Sequence, residues 1–324
     1  AWLSGVPMKD MVFAGVGKPE EEQRAALDGR FSPVREDAER LGGKNIESRG
    51  PVGLFNVESE SELEVLARVA AELGLVARAC IRVNPDVDAR THEYTTTGKE
   101  ENKFGVRWSR VPAVFSEYRD VASVDLVGLH VHIGSPVYET EPYESAVRVL
   151  VRLIDELEAA GHAISVLDLG GGWPMCYTDG QAPDIEAFAE ALTPLLEEKV
   201  ERGLQIVLEP GRSIIANAGV LLTRVQHVKE GRKKRFVIGD AGMHTLIRPA
   251  FYRAYHFVWP VKVEAHHVPQ AVTEQLDLPD LHPSDLVGPI CETGDFLARG
   301  RNLPKVGRGD LMAVFSAGAY AMSM

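Results

Sequence analysis

Apolar residues along the chain fall into two rhythms. The first is a set of short, near-continuous runs: "MVFAGVG" (11–17), "VGLFNV" (52–57), "RACIRVN" (78–84), "LVGLHVHIG" (126–134), "VLDLGGG" (166–172) and "LQIVLEPG" (204–211). The second is helical spacing between most of those runs. Ser59 opens one such stretch with Glu62 three residues on, a capping box ahead of "LEVLARVAAELG". Residues 141–160 and 184–200 repeat the helical period. Runs without polar alternation fit strands buried on both faces, as in a parallel sheet covered by helices. Polar residues collect where these strands end: Asn84, His132 and Ser135, Gly170 to Gly172, Glu209 and Arg212. Several successive strand ends carrying chemistry fit an α/β barrel, whose active site lies at that rim. A doubly wound sheet would concentrate them at one switch point.

After residue 235 the rhythm changes. "RFVIGDAG", "FVWPVKVE", "DLVGPIC" and "DLMAVFSAGAY" read as strands without comparable helices between them. The expected architecture is therefore α/β: a partial (β/α)8 TIM-type barrel over 1–235, then a β-sandwich domain over 236–324. Residues 30–51, polar and rich in Gly and Pro, read as an inserted surface loop. Six strand–helix units stand where a closed barrel needs eight. The difference is roughly 60 residues at about 30 per unit. With a start at Ala1 and an end on "AGAYAMSM", the expectation is a chain truncated at both ends.

Composition narrows the function classes. The formal charge of −12 disfavours a nucleic-acid surface, and the basic "GRKKR" at 231–235 reads as a solvated turn. No apolar run reaches membrane-spanning length, and the start has no basic-then-apolar signal pattern. Cys80, Cys176 and Cys291 form no framework spacing, so a reducing, cytoplasmic setting is expected.

Individual motifs leave alternatives open. "HVHIGS" places His130 and His132 two apart on a strand, suited to a metal, to ring stacking or to a core role. "DLGGGW" ends a strand in three glycines, which fits an anion held by backbone N–H groups or a tight turn. "LEPGRS" sets Glu209 near Arg212. The two either pair with each other, or Glu209 meets a protonated ligand nitrogen while Arg212 holds an anion. Arg248 and Tyr252, four apart, and Tyr320 suit a carboxylate or phosphate. "PICETGD" puts Cys291 beside Glu292, with Asp295 close behind.

Taken in order, "FNVESESELE", "RVNPDVDARTHEYTTTGKEENKFG", "GLHVHIGS", "DLGGGW", "LEPGRSIIANAGVLLTRV", "DAGMHTLIRPAFYRAYH", "VGPICETGD" and "SAGAYAMSM" resemble the diaminopimelate decarboxylases. These are fold-type III pyridoxal-phosphate enzymes, a class that includes ornithine decarboxylase and alanine racemase. The resemblance implies a homodimer with shared active sites, the cofactor pyridoxal 5'-phosphate and no metal. It also implies decarboxylation of meso-2,6-diaminopimelate to L-lysine. By the same resemblance His132 stacks on the cofactor ring, and Glu209 faces its pyridine nitrogen. Ser135, Gly170, Gly171, Gly172, Pro210, Gly211, Arg212 and Tyr320 contact the cofactor. Arg212, Arg248, Tyr252, Glu292 and Tyr320 contact the substrate. Cys291 matches the proton donor, supplied across the dimer interface. A thiol is mostly protonated at neutral pH and adjacent acids favour that form, which suits a donor.

Two other readings stand beside it. An ornithine- or arginine-type decarboxylase needs no site for a distal carboxylate, whereas Arg248 with Glu292 suits a distal centre bearing both charges. A non-catalytic relative that binds a partner subunit is the other. The family's Schiff-base lysine, in a segment like Tyr-Ala-x-Lys-Ala-Asn, has no counterpart here, and Lys18 in "AGVGKPEEE" aligns with a later strand end. The chain as written is therefore expected to be inactive.

Overall fold

The computed structural model describes residues 6–29, 50–274 and 276–324. Two compact units emerge among them. One runs through Gly172 and takes in Ile185–Glu209; the other comprises Trp173–Asp184 and Pro210–Met324.

The first unit is an α/β layer. Its strands are β1 (Val12–Phe13), β2 (Leu54–Val57), β3 (Ala77–Asn84), β4 (Val106–Arg107), β5 (Val124–His130), β6 (Val166–Asp168) and β7 (Gln205–Val207). The order is β1-β2-β3-β5-β6-β7, every pairing is parallel, and β4 pairs beside β3. All six apolar runs of the first rhythm form strands of this sheet. Sequential strands lying side by side, with helices between, are the arrangement of part of a (β/α)8 barrel. The helices are α1 (Glu20–Asp28), α2 (Glu60–Leu73), α3 (Val111–Glu117), α4 (Glu141–Ala159) and α5 (Ile185–Glu201).

Helix α2 shows how local sequence sets these elements. Ser59 Oγ accepts from Glu62 N at 3.2 Å, the forward half of the capping box, while Glu62 Oε2 reaches one residue past the cap and accepts from Glu58 N at 2.9 Å. Leu63, Leu66, Val69 and Ala70 form its buried stripe, and Gly74 ends it with φ 66°. Glu62 also forms an ion pair with Lys18 at 2.8 Å, both side chains nearly inaccessible. The cap thus fastens the helix to the segment after β1. Ser59→Ala should lower stability by about 1 kcal/mol, read as a lower urea midpoint at unchanged slope.

The second unit is a β domain containing β8 (Leu221–Glu230), β9 (Arg235–Gly239), β10 (Val258–Pro260), β11 (His282–Val287), β12 (Phe296–Leu303) and β13 (Leu311–Val314). Their order is β10-β13-β8-β9-β11-β12, with β9 and β11 parallel and the other pairs antiparallel. Two short helices, α6 (Arg212–Ile215) and α7 (Arg248–Tyr252), belong to it. Its core gathers Val225, Val237, Leu286, Leu297, Met312 and Val314, with Phe257 and Trp259 stacked at 5.8 Å.

The division falls at Glu209/Pro210, not at 235/236. The reason is β8, which alternates exposed Leu222 and Arg224 with buried Thr223 and Val225. That is the signature of a half-buried antiparallel strand, not of a barrel strand. Strand β12 was also not anticipated, because Arg299, Gly300 and Arg301 interrupt its apolar residues. The loop expected at 30–51 lies, up to residue 49, outside the described residues. No helix among the described residues is long and apolar enough to cross a membrane.

Candidate active site

In the first unit the parallel register lines up Arg82, His130 and Asp168 across β3, β5 and β6. Register partners in a sheet share a face, so the three side chains form one row at the C-terminal strand ends. Glu58, just past β2, extends it. Its Oε1 accepts from Arg82 at 2.5 Å, and its Oε2 accepts from Gly105 N at 3.1 Å. Arg82 also donates to His132 O at 3.0 Å. Glu209 follows β7 and completes the group.

Asn56 Nδ2 bridges two carboxylates, donating to Asp168 Oδ2 at 2.8 Å and to Glu209 Oε1 at 3.2 Å. Asp168 Oδ1 accepts from Gly170 N at 2.9 Å. His130 Nε2 lies 3.9 Å from Glu209 Oε1. Ligand atoms of His130, Asp168 and Glu209 all lie within 4.8 Å of one another. Asp168 and Glu209 thus stand as close neighbours, and each raises the cost of ionising the other. Burial, then the charge of Asp168, pushes the Glu209 carboxyl up to about 7. Burial likewise raises Asp168. Burial, with Arg82 second, holds His130 well below the usual imidazole range, and the same causes bring His132 to about 4. Both rings are neutral at physiological pH.

A carboxyl whose pKa is raised on folding adds stability while protonated. That contribution is complete below about 4.5 and is lost as pH rises through about 7. Glu209→Gln should therefore cancel about 2 kcal/mol of this decline, once its 31% side-chain exposure is discounted. Thermal melts of both proteins from pH 4.5 to 8 measure the difference. Parallel profiles would refute it.

Strand β5 ends at His130, so His132 stands in the following loop, half-buried, and its Nδ1 accepts from Gly171 N at 3.0 Å. Gly170 and Gly172 have φ of 66° and 101°. A Cβ on either would meet a carbonyl at 2.2 Å, Val131 O or Gly134 O. Only glycine meets both demands. Tyr143 Oη donates to Gly171 O at 2.8 Å, and Ser135 is buried nearby in sequence, beyond β5. Lys18, whose side chain is only 2% exposed, donates to Asn56 O at 2.9 Å and to Gly15 O, besides pairing with Glu62.

The second unit holds a separate group. Arg212 and Arg248 are each 6% exposed. Arg212 donates to Tyr177 Oη at 2.7 Å, and its guanidinium lies 4.5 Å over the Tyr320 ring. Arg248 lies 4.6 Å over the Tyr177 ring and donates to His256 Nε2 at 2.7 Å. His256 Nδ1 meets Phe315 O at 2.9 Å, which fixes the tautomer: Nδ1 carries the proton and Nε2 accepts. Burial, then Arg248, takes His256 to about 4, so it stays neutral beside the guanidinium. Tyr252, four residues after Arg248, packs edge-on against Phe251 at 4.8 Å. Pro210 is half-buried and Gly211 exposed at the start of this unit.

Cys291 and Glu292 are both exposed in the connection between β11 and β12. Asp295 is not. Its carboxylate is buried and accepts from Met243 N and Ile290 N, both at 2.7 Å. It organises the loop backbone and is not a second acid for the thiol.

The family "Pyridoxal-dependent decarboxylase, pyridoxal binding domain" matches residues 3–216. The diaminopimelate decarboxylase of Pseudomonas aeruginosa is 44% identical over 320 residues, 99% of this chain and 68% of that protein. That of Aquifex aeolicus is 40% identical over 322 residues, with the same coverage of each. The chain belongs to the diaminopimelate decarboxylases. The Helicobacter pylori diaminopimelate decarboxylase, crystallised with L-lysine, superposes with a TM-score of 0.82. It is 33% identical, with 99% of this chain and 71% of that one covered.

Pyridoxal phosphate is the cofactor of these decarboxylases, and the strand-end residues fit it. The glycine run is held open by steric necessity, a half-buried carboxyl is poised near neutrality, and the His130 nitrogens have no hydrogen-bond partner among the described residues. Sequence reasoning found His132, Gly170–Gly172 and Glu209 but not Asn56, Glu58, Arg82 or Asp168. The available signal was a polar residue inside an otherwise apolar run, as in "LFNVE" and "ACIRVN". It likewise missed His256, which stands in the aromatic stretch after Arg248, and Tyr177, which lies far from both arginines in the sequence and carries no local signal.

Proposed function

We propose that this diaminopimelate decarboxylase family member removes CO2 from meso-diaminopimelate and forms L-lysine, using pyridoxal phosphate. The observation that carries the substrate reading is the pair of buried guanidiniums, Arg212 and Arg248, both set against Tyr177. Two fixed cations suit a substrate with more than one carboxylate, which ornithine and arginine lack.

In this reading Glu209 holds a proton at the cofactor's ring nitrogen, and His132 covers the ring. Ser135, Gly170–Gly172, Pro210, Gly211, Arg212 and Tyr320 hold the cofactor. When bound, pyridoxal phosphate supplies the electron sink for the carbanion left by CO2. Arg212 and Tyr320 contact the substrate as well as the cofactor; Arg248 takes the distal carboxylate, Tyr252 lies beside it on α7, and Glu292 takes the distal ammonium. Cys291 delivers the proton to carbon. Its exposure supports delivery to a partner subunit in a homodimer. Three free cysteines support a reducing, cytoplasmic setting.

The test is CO2 release from meso-diaminopimelate and from ornithine, with pyridoxal phosphate added. It is run on the 324-residue chain and on the chain with a lysine-bearing strand of the family placed ahead of residue 1. Lysine formation by the extended protein, at least about 100-fold faster in kcat/KM than ornithine turnover, is expected from one unmatched buried charge. Comparable values for both substrates would overturn the assignment. Cys291→Ala should lower kcat and leave cofactor affinity unchanged.

A further inference from the structure

His130 is 1% exposed, and neither ring nitrogen has a hydrogen-bond partner among the described residues. A buried polar ring left this way costs stability unless a partner arrives. The groups around it are known. Arg82 on β3, His132 beyond β5 and Lys18 beyond β1 act on it electrostatically, and Asp168 on β6 and Glu209 after β7 converge with it. Asp168 is already served by Asn56 Nδ2 and Gly170 N. Among the described residues, the Glu209 carboxyl receives a single donor, the Asn56 amide that it shares with Asp168, at 3.2 Å. The acceptor left facing His130 Nε2 is Glu209 Oε1, at 3.9 Å.

We propose that His130 is a positioning residue for Glu209: its Nε2–H donates to the ionised Glu209 carboxylate and so keeps the proton on the cofactor's ring nitrogen. The inference rests on the reading that Glu209 meets that nitrogen. When Glu209 ionises there, two carboxylates stand side by side with one amide bridging them. A second donor is then required, and a neutral imidazole supplies it without adding charge. The proton is not consumed: Glu209 gives it up, the ring nitrogen holds it, and His130 stabilises the anion left behind. Loss of the donor raises the proton affinity of Glu209 and returns the proton to it.

The probe is pyridoxamine 5'-phosphate labelled with 15N in the ring, which needs no lysine to bind. Its nitrogen shift, followed against pH, reports protonation directly. The 324-residue chain and His130→Gln, whose amide nitrogen occupies the Nε2 position, should hold the ring nitrogen protonated to the same pH. In His130→Phe and His130→Leu the midpoint should fall by about 1 unit or more, the scale of one hydrogen bond to a carboxylate. His130→Asn, whose amide mimics Nδ1, should behave like His130→Leu. Unchanged midpoints in the apolar variants, or failure of His130→Gln to restore the shift, overturn the role of His130. No binding by the unaltered chain, or a midpoint indifferent to Glu209→Gln, overturns the cofactor reading beneath it.

Discussion

Arg82→Met is expected to lower folding stability by about 3–5 kcal/mol, the loss typical when one member of a buried ion pair is removed. Glu58 and Arg82 have side chains only 1% and 7% exposed, so the orphaned carboxylate would have no water to turn to. The second guanidinium nitrogen also holds His132 O, so the loop that carries His132 loses its anchor as well. Met keeps most of the volume, which confines the effect to charge and hydrogen bonding. The double variant Arg82→Met/Glu58→Gln should recover a large part of the loss, because no unpaired charge remains. Urea titrations of the four proteins give the coupling directly. A single-variant loss below about 1 kcal/mol would mean that Glu58 finds another partner, or a proton, at little cost.

Arg248→Ala should reduce kcat/KM for meso-diaminopimelate by at least about 100-fold in the extended protein, since a buried substrate carboxylate would lose its cation. Cofactor affinity should not change. Arg248→Lys should rescue poorly. The guanidinium lies 4.6 Å over the Tyr177 ring and donates to His256 Nε2, and a compact ammonium cannot make both contacts at once. His256 makes the geometry one-directional, because its Nδ1–H is committed to Phe315 O. Full activity with Lys would show that charge alone matters and that the tautomer lock is incidental.

Six of the seven strands of the parallel sheet were legible, because burial on both faces leaves a continuous apolar run, which few other elements produce; the two-residue β4 is too short to leave one. The same rule hid β8 and β12, whose exposed faces are as polar as a loop. The site divided along similar lines. Glu209, His132 and the glycine run stand just past their strands, where polar character contrasts with what precedes it. Arg82, Asp168 and Asn56 lie inside the strands, and a scan for apolar runs absorbs them. Their function comes from the register that sets Arg82, His130 and Asp168 in one row, a relation between distant segments that no local window contains. Asp295 shows the opposite error. Adjacency to Cys291 made it look like part of the chemistry, yet its carboxylate is spent on Met243 N and Ile290 N.

That buried carboxylate makes the segment from Gly288 to Asp295 an exchangeable cartridge. A Cβ on Gly242 or Gly288 would come within 2.4 Å of an Asp295 oxygen, so the three residues fit only as a set. Nothing in the set involves the side chains of Cys291, Glu292 or Thr293, which face outward. Under the proposed function, those three positions are free to be recoded for a different proton donor or a different distal group. Gly242, Gly288 and Asp295 keep the mounting intact while the tool on it is changed.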